Sequence, residues 1–258
     1  MKKNTKKFHH QKGQAMVETL IILFVTFLLL LGIIQFAFIY NAKTTLNYAT
    51  FEGARAGALN YGDKQSIEYA IARGLAPLYT SIKVSDGRLR RVTKVQSARD
   101  RAYEELTQGE FACIERINPP SSAFTSSGHG VPDPTGLFPG EKLIPNDHLL
   151  YRSAIAKNGL SVQDANLLKI RVTYCYPMYV PIISTTIKRL MGLEKDSVSR
   201  VAVGQSEGSP TYNTLIPKGN FHKNCYSKNR FPIVSQAIIR MQTPVRNDET
   251  RPFAKNCD

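Results

Sequence analysis

The sequence predicts an α+β protein in which a long N-terminal transmembrane helix packs by its outer half against a small antiparallel β-sheet head. Three observations predict this fold. An apolar run of membrane length lies near the N-terminus, helical spacing continues beyond it, and alternating segments rich in β-branched residues follow within the 258-residue chain. Helices followed by a group of strands are typical of α+β domains.

The apolar run covers residues 19–40, and only Thr26, Gly32 and Gln35 interrupt it. As a helix it rises about 33 Å, which is enough to cross a hydrocarbon core of ~30 Å. A secretory signal peptide has a shorter apolar core of ~7–15 residues and a small-residue cleavage site. We therefore predict a membrane anchor that stays in the protein.

The net charge of +14 is partly concentrated before this run. The lysines there are Lys2, Lys3, Lys6, Lys7 and Lys12. By the positive-inside rule, such a flank stays in the cytoplasm, so residues after about 41 are expected on the other side of the membrane. A basic chain can also bind nucleic acid. No recognition motif accompanies the charge, and we expect no nucleic-acid partner.

Glu18 stands at the start of the apolar run, where a carboxylate costs free energy in lipid. Two interpretations are open. In the first, Glu18 lies at the membrane interface and costs little. In the second, the chain is cut between Gly13 and Gln14, and the new, charged α-amine lies one helical turn before Glu18. Pairing with that amine, in the same helix or a neighbour, would make Glu18 a residue that aligns subunits.

The helical pattern continues without proline past the membrane run, which predicts a transmembrane and stalk helix over residues 14–60. Ala49, Gly53 and Gly57 form a strip of small residues on it, and such a strip lets another backbone approach closely. Either the chain's own head or the helix of a neighbouring subunit could fill the strip.

The head is predicted to cover residues 61–258. A second amphipathic helix is expected from Lys64 to about Ala76, ended by Pro77. Strands are expected where the sequence alternates or is rich in β-branched and aromatic residues. These segments are RLRRVTKVQS (88–97), EFACIERIN (110–118), LKIRVTYCYPMYV (168–180) and SVSRVAVGQS (197–206). A proline-rich irregular loop is expected at about 118–148, and a second irregular segment at 208–232.

Four cysteines, Cys113, Cys175, Cys225 and Cys257, all follow the membrane run. They lack the spacing of a zinc site. In an oxidising compartment, two disulfides are the expected state, with buried free thiols as the alternative. Of the three possible pairings, we favour Cys113–Cys175 and Cys225–Cys257.

Catalytic motifs are weak. Residues 204–208, GQSEG, match G-x-S-x-G, but a nucleophile elbow needs a following helix, and Pro210 stands two residues past the motif. The histidines lack spaced carboxylate or cysteine partners, and neither a P-loop nor a dinucleotide fingerprint is present in the sequence. We expect no enzymatic activity, no cofactor and no metal.

The N-terminal stretch resembles a known family. A basic leader ending in glycine, followed by a glutamate five residues on and a membrane helix, resembles the prepilin and pseudopilin pattern. More narrowly, GQAMVETLIILF (from Gly13) and YNAKTTLNYATFEGARAGALN (from Tyr40) are similar to TadE/TadG-like minor pseudopilins of tight-adherence (Flp-type, type IVc) pilus systems. LLKIRVTYCYPMYVP (from Leu167) and AIIRMQTPVR (from Ala237) resemble later segments of that family.

This resemblance implies a pilin-like fold and a prepilin leader over residues 1–13, cut by a prepilin peptidase between Gly13 and Gln14. It implies a single-pass protein of the inner membrane with its head in the periplasm or outside. The implied function is that of a minor pseudopilin in pilus assembly or secretion. Its partners would be other pilins or pseudopilins, inner-membrane assembly proteins and the lipid bilayer. The alternative is a membrane-anchored binding module that is never processed into a filament.

Overall fold

The computed structural model describes residues 12–80, 87–125, 127–133, 136–180, 185, 220–248, 250–254 and 257. A long N-terminal helix packs by its outer part against a second helix and a small antiparallel sheet. The predicted α+β fold class, with a long apolar helix against an antiparallel head, is confirmed.

The described helices are α1 (Lys12–Leu59), α2 (Lys64–Tyr79), α3 (Arg88–Thr107), α4 (Val162–Ala165) and α5 (Asn220–Ser227), with a 3₁₀ turn at Ser121–Phe124. The described strands are β1 (Ala112–Asn118), β2 (Val131–Pro132), β3 (Lys142–Ile144), β4 (Leu167–Pro177), β5 (Arg230–Arg240) and β6 (Val245–Arg246). They form two sheets, ordered β1-β4-β5 and β2-β3-β6, and neighbouring strands in each sheet are antiparallel.

Helices α1 and α2 form a hairpin. The chain turns at Tyr61 and Gly62, whose φ angles of 56° and 73° lie in the left-handed region. Asp63 then caps α2, because its carboxylate accepts a hydrogen bond of 2.8 Å from the Ser66 N–H. The predicted end of α2 was too early, since Pro77 lies inside the helix, which continues to Tyr79.

The strand predicted at 88–97 is wrong, because this segment belongs to α3. Ala98, Ala102 and Leu106 are its buried residues, four apart, as expected for one face of a helix. The ring of Tyr103 stacks on that of Tyr69 in α2, with 4.3 Å between ring centroids. The turns of α3 before Ala98 carry exposed apolar side chains, and the spacing of these side chains also suits a helix.

The strands predicted at 110–118 and 168–180 correspond to β1 and β4. β4 is the central strand, and Ile170, Val172 and Tyr174 are buried on the face predicted to be apolar. Thr173, on the other face, is also buried, at 1% exposure. The sheet contacts α1 through Leu168, which packs at the level of Gly57.

The predicted irregular loop at 118–148 is partly ordered. Its strands β2 and β3 form a small sheet with β6, and Ala123, Phe124, Leu143 and Ile144 are buried in the core. The second predicted irregular segment contains α5 and the start of β5. The predicted strand at 197–206 and the GQSEG motif lie outside the described residues.

Candidate functional site

Helix α1 carries a long exposed apolar surface. In the described part of the chain, it is the one helix long and apolar enough to cross a membrane, with a mean hydropathy of 2.8 over its most apolar 18 residues. Only 6% of that window is buried, whereas a core helix of a soluble protein would be mostly buried. Together with the composition, this supports a single-pass membrane protein.

Glu18 lies in α1 and is exposed. The helix runs without interruption through Gly13 and Gln14, so Gln14 stands one turn before Glu18, about 6 Å along the axis. Glu18 has no hydrogen-bond or ion-pair partner among the residues that the structure describes. The side chains of residues 12–15 are outside the described part. The predicted cleavage position and Glu18 are therefore neighbours on one helix.

The N-terminal segment also matches a known family. Residues 13–55 match the protein-family model described as TadE-like protein. Over this stretch, called the TadE-like segment below, the chain is similar to the TadE-like family. The match begins at the predicted cleavage position, includes Glu18 and the whole apolar run, and ends in the stalk. No match was found among curated proteins or among solved structures.

The small-residue strip near the outer end of the TadE-like segment is filled by the same chain. A Cβ on Gly53 would lie 2.5 Å from Ile71 of α2. A Cβ on Gly57 would lie 2.8 Å from Ile67 of α2 and 2.9 Å from Leu168 of β4. Of the two occupants considered from the sequence, the structure contains the chain's own head.

The two helices also approach each other closely between Ala49 and Gly74 of α2. A Cβ on Gly74 would lie 2.6 Å from the Ala49 Cα, which is backbone and cannot rotate away. Gly74 was missed in the sequence analysis. A glycine in the middle of a helical pattern was the feature that could have indicated it, because glycine is unfavourable there unless a close contact requires it.

We expect Gly74→Ala to destabilise the head by about 1–3 kcal/mol, because the added methyl group overpacks a backbone contact and this outweighs the better helix propensity of alanine. Denaturant unfolding of the full chain in detergent measures the effect. Gly32→Ala is the matched control, since Gly32 also lies inside a helix and a Cβ there meets nothing within 4 Å. Equal unfolding midpoints for the two variants would contradict the expectation.

The cysteines are paired differently from the prediction. The structure joins Cys113 to Cys257 and Cys175 to Cys225, with Cα–Cα distances of 5.7 and 5.3 Å. The favoured pairing was wrong because of the strand register, which places Cys113 opposite Thr173 rather than opposite Cys175. Cys113 and Cys175 are thus diagonal neighbours, and these lie about 7–8 Å apart, beyond ordinary disulfide reach.

The C-terminal tail supplies the actual partner of Cys113. Ala254 forms an isolated parallel bridge with Glu115, and its N–H donates a hydrogen bond of 3.2 Å to the Ile114 carbonyl. The tail therefore runs beside the edge strand β1. Cys225, on α5, meets Cys175 near the end of β4. Each disulfide ties a late segment of the chain to the main sheet.

Arg246 contacts two distant segments of the chain near the turn between α1 and α2. Its guanidinium contacts the carboxylates of Asp63 at 3.0 Å, Asp248 at 3.3 Å and Glu141 at 3.5 Å. Burial alone would raise the pKa of Asp63, but hydrogen bonds from Ser66 and Arg246 outweigh it, and the pKa of Asp63 is lowered. The sequence could not indicate this cluster, because Asp63 and Glu141 are far from Arg246 along the chain.

The lowered pKa of Asp63 predicts acid sensitivity. Its contribution to stability is present above its unfolded pKa of about 3.9 and is lost as the pH falls through the lower folded value. We expect Asp63→Asn to lower the free energy of unfolding by about 1–3 kcal/mol at pH 7 and to flatten its pH dependence below about pH 4. Asp100→Asn, at an exposed site, is the control. If the free energies of unfolding of the wild type and Asp63→Asn changed with pH in parallel, the prediction would be refuted.

A second cluster holds α3 to the main sheet. Arg230 makes two hydrogen bonds to Glu105, of 3.1 and 3.2 Å, and lies 3.6 Å from the ring centroid of Phe111. The hydroxyl of Tyr79 donates to Glu105 at 2.7 Å and also contacts the hydroxyl of Tyr174. Burial, followed by the nearby Glu105 carboxylate, raises the pKa of Tyr174. These contacts fasten helices α2 and α3 to β4 and β5.

Proposed function

We propose that the chain is a minor pseudopilin, a structural subunit of a tight-adherence pilus or of its secretion machinery. Support comes from the TadE-like match, which indicates a protein associated with Tad pilus systems. The exposed apolar helix supports a membrane anchor, and the two disulfides suit a head in the oxidising periplasm or outside the cell. The anchoring membrane would be the inner membrane, with the N-terminus inside.

The position of Glu18 carries the proposal. It is an exposed carboxylate at the inner end of an exposed apolar helix, and it has no partner in the described part of the chain. A prepilin peptidase cutting between Gly13 and Gln14 would create an α-amine about one turn away. A charge in lipid is costly alone, but it is stabilised by an opposite charge and by the helix dipole. Processing would thus create the partner that Glu18 lacks.

Assembly would use the apolar surface of the same helix. Among the large side chains exposed by more than half on α1 are Leu20, Leu23, Phe24, Phe27 and Ile33. Leu20, Leu23, Phe24 and Phe27 follow the i, i+3, i+4, i+7 spacing of one helix face, which would pack against other pilins or pseudopilins once subunits meet in the membrane. Inner-membrane assembly proteins would be the further partners. The work proposed for this chain is assembly and not catalysis.

N-terminal sequencing of the protein purified from cells tests the proposal. We expect the mature chain to begin at Gln14, because the leader ends at Gly13. A Gly13→Leu variant is expected to keep the leader, which separates specific processing from general proteolysis. A wild-type chain that keeps Met1 or begins at Lys2 would overturn the proposal.

That negative outcome would favour a second function, a membrane-anchored binding module that does not enter a filament. One observation favours it independently. Leu150, Tyr151 and Ile155 are exposed by 87, 85 and 74% in one loop of the head, far above the usual exposure of such side chains. In that case the loop would be the surface to test for ligand binding.

A further inference from the structure

Gln35 is a buried polar residue inside the apolar run. Its exposure is 0%, whereas Ile34 and Phe36 beside it are exposed by 47 and 64%. Gln35 lies at helical spacing from Ala42 and Leu46, which are buried in the core of the head. The face of α1 that packs on the head therefore continues into the segment that crosses the membrane.

The side chain of Gln35 accepts a hydrogen bond from a backbone group of the segment that follows β4. The Val180 N–H donates a hydrogen bond of 3.0 Å to Gln35 Oε1. Val180 follows β4 by three residues, and the Met178 N–H between them bonds to the Asn229 carbonyl at 3.2 Å. The chain leaving β4 is thus attached at two successive points, first to the turn before β5 and then to α1.

This contact lies at the outer edge of the membrane. Gln35 precedes the end of the apolar run by five residues, which is about 7.5 Å along a helix axis. The Val180 N–H is therefore near the outer end of the hydrocarbon core when α1 crosses the bilayer along its normal. A backbone N–H without a partner is strongly unfavourable inside the hydrocarbon core. Gln35 supplies the partner, and the peptide in turn covers a polar side chain.

Tyr179, next to Val180, belongs to a group of aromatic rings. Tyr179 is 60% exposed, and its ring meets that of Phe38 edge-to-face with 6.1 Å between centroids. The ring of Tyr176 also meets that of Tyr179 edge-to-face, with 5.8 Å between centroids. Tyr40, at the end of the apolar run, is 71% exposed. Rings with one polar atom are the side chains that prefer the headgroup region of a bilayer.

We propose that residues 176–180 form a second membrane contact, in which Gln35 binds the Val180 backbone and Tyr179 enters the headgroup region of the outer leaflet. The occupant of this surface is lipid, because the surface is continuous with the exposed apolar face of α1. The contact fixes the end of the sheet at the bilayer surface. It needs the membrane helix but not N-terminal processing, so its failure and that of the proposed function are distinguishable.

The chain contains no tryptophan, so Tyr179→Trp introduces a sole tryptophan fluorophore. The full chain is reconstituted into vesicles of phosphatidylcholine and phosphatidylglycerol, with and without brominated acyl chains. We expect the tryptophan of Tyr179→Trp to emit at a shorter wavelength than a water-exposed tryptophan and to lose intensity in vesicles with brominated acyl chains. Tyr151→Trp, at a site 85% exposed in the head, is the control and is expected to show neither. Emission of Tyr179→Trp that brominated lipid does not quench would overturn the proposal, whatever its wavelength.

A second substitution tests the role of Gln35. Gln35→Leu in the Tyr179→Trp chain removes the acceptor, and we expect the quenching by brominated lipid to be lost or strongly reduced. Thr26→Val is the matched control, because the Thr26 hydroxyl bonds at 2.8 Å to the Ile22 carbonyl of its own helix. Unchanged quenching is expected for that control. Full quenching in the Gln35→Leu chain would show that Gln35 does not position the segment.

Discussion

Replacing Glu18 with alanine is expected to leave membrane insertion intact and to abolish incorporation of the protein into its assembly. Insertion depends on the apolar run, which the substitution does not shorten. Placing alanine in lipid also requires less free energy than placing a carboxylate there. A charged residue costs up to ~2.5–3.5 kcal/mol at the bilayer centre and less near its edge. The variant should therefore enter the membrane at least as well as the wild type.

In the proposed function, incorporation depends on pairing between Glu18 and the α-amine that cleavage would create. Without the carboxylate, the positive charge of the amine lies next to the positive end of the helix dipole, which is unfavourable. An unpaired charge is also unfavourable in a packed, apolar surrounding. Because the cost arises at each subunit contact, we expect the Glu18→Ala protein to stay in the membrane fraction and to be missing from sheared or co-purified assemblies. Membrane fractionation, combined with pull-down of the assembled pilins, measures both quantities in one preparation.

Glu52→Ala is the matched control. Glu52 belongs to the same TadE-like segment, but it lies in the stalk and its carboxylate contacts Arg73 of the chain's own α2 at 3.2 Å. An exposed pair of this kind contributes ~0–1 kcal/mol, so incorporation should be near the wild-type level. Normal incorporation of Glu18→Ala would contradict the alignment role, and equal loss in both variants would show a general effect of charge.

The second large effect is expected from the disulfide between Cys113 and Cys257. This bond closes a loop with a sequence separation of 144 residues. Constraint of so long a loop in the unfolded chain predicts that Cys257→Ser lowers the free energy of unfolding by about 2–5 kcal/mol. The tail would also lose its covalent tie beside β1. Thermal and denaturant unfolding under oxidising conditions measures the loss.

The double variant Cys113→Ser with Cys257→Ser is the control for this prediction. Both substitutions remove the same bond, so the double variant should be close in stability to either single variant. Peptide mapping of the oxidised wild type should recover a fragment linking Cys113 to Cys257. A fragment linking Cys113 to Cys175 would contradict both the register and the prediction.

The sequence was sufficient for α1 because its information is local. An apolar run followed by helical spacing without proline determines one helix, and the structure has it from Lys12 to Leu59. The strand β4 was predictable for the same reason, since alternation within a few residues separates its buried side chains from its partly exposed ones. Glu18 was indicated by a single charge at the edge of that apolar run.

The sequence predictions failed where an element is fixed by a contact that is distant along the chain, or by residues that follow the segment whose pattern was read. In α3, Leu89, Val92 and Val95 are three residues apart, but the alternation around them suggested a strand, and the buried alanines that fix the helix come later. The loop at 118–148 becomes ordered because β3 pairs with β6, which is about a hundred residues further on. Such pairings leave no local pattern.

The disulfides and Gln35 belong to the same class. The choice among three cysteine pairings depends on a two-residue offset between β1 and β4, and no composition argument contains that offset. Gln35 was visible only as an interruption of the apolar run. Its partner is a backbone N–H, which every residue but proline possesses, so the sequence could not single out Val180.

The unbroken course of α1 has a mechanical consequence. No loop or hinge separates the part that lies in lipid from the part around which the head is folded, since one helix supplies both. A translation or rotation of the membrane end of α1 is therefore transmitted directly to the head as the same translation or rotation. Assembly proteins that bind only the inner end of α1 could therefore move and orient the whole head.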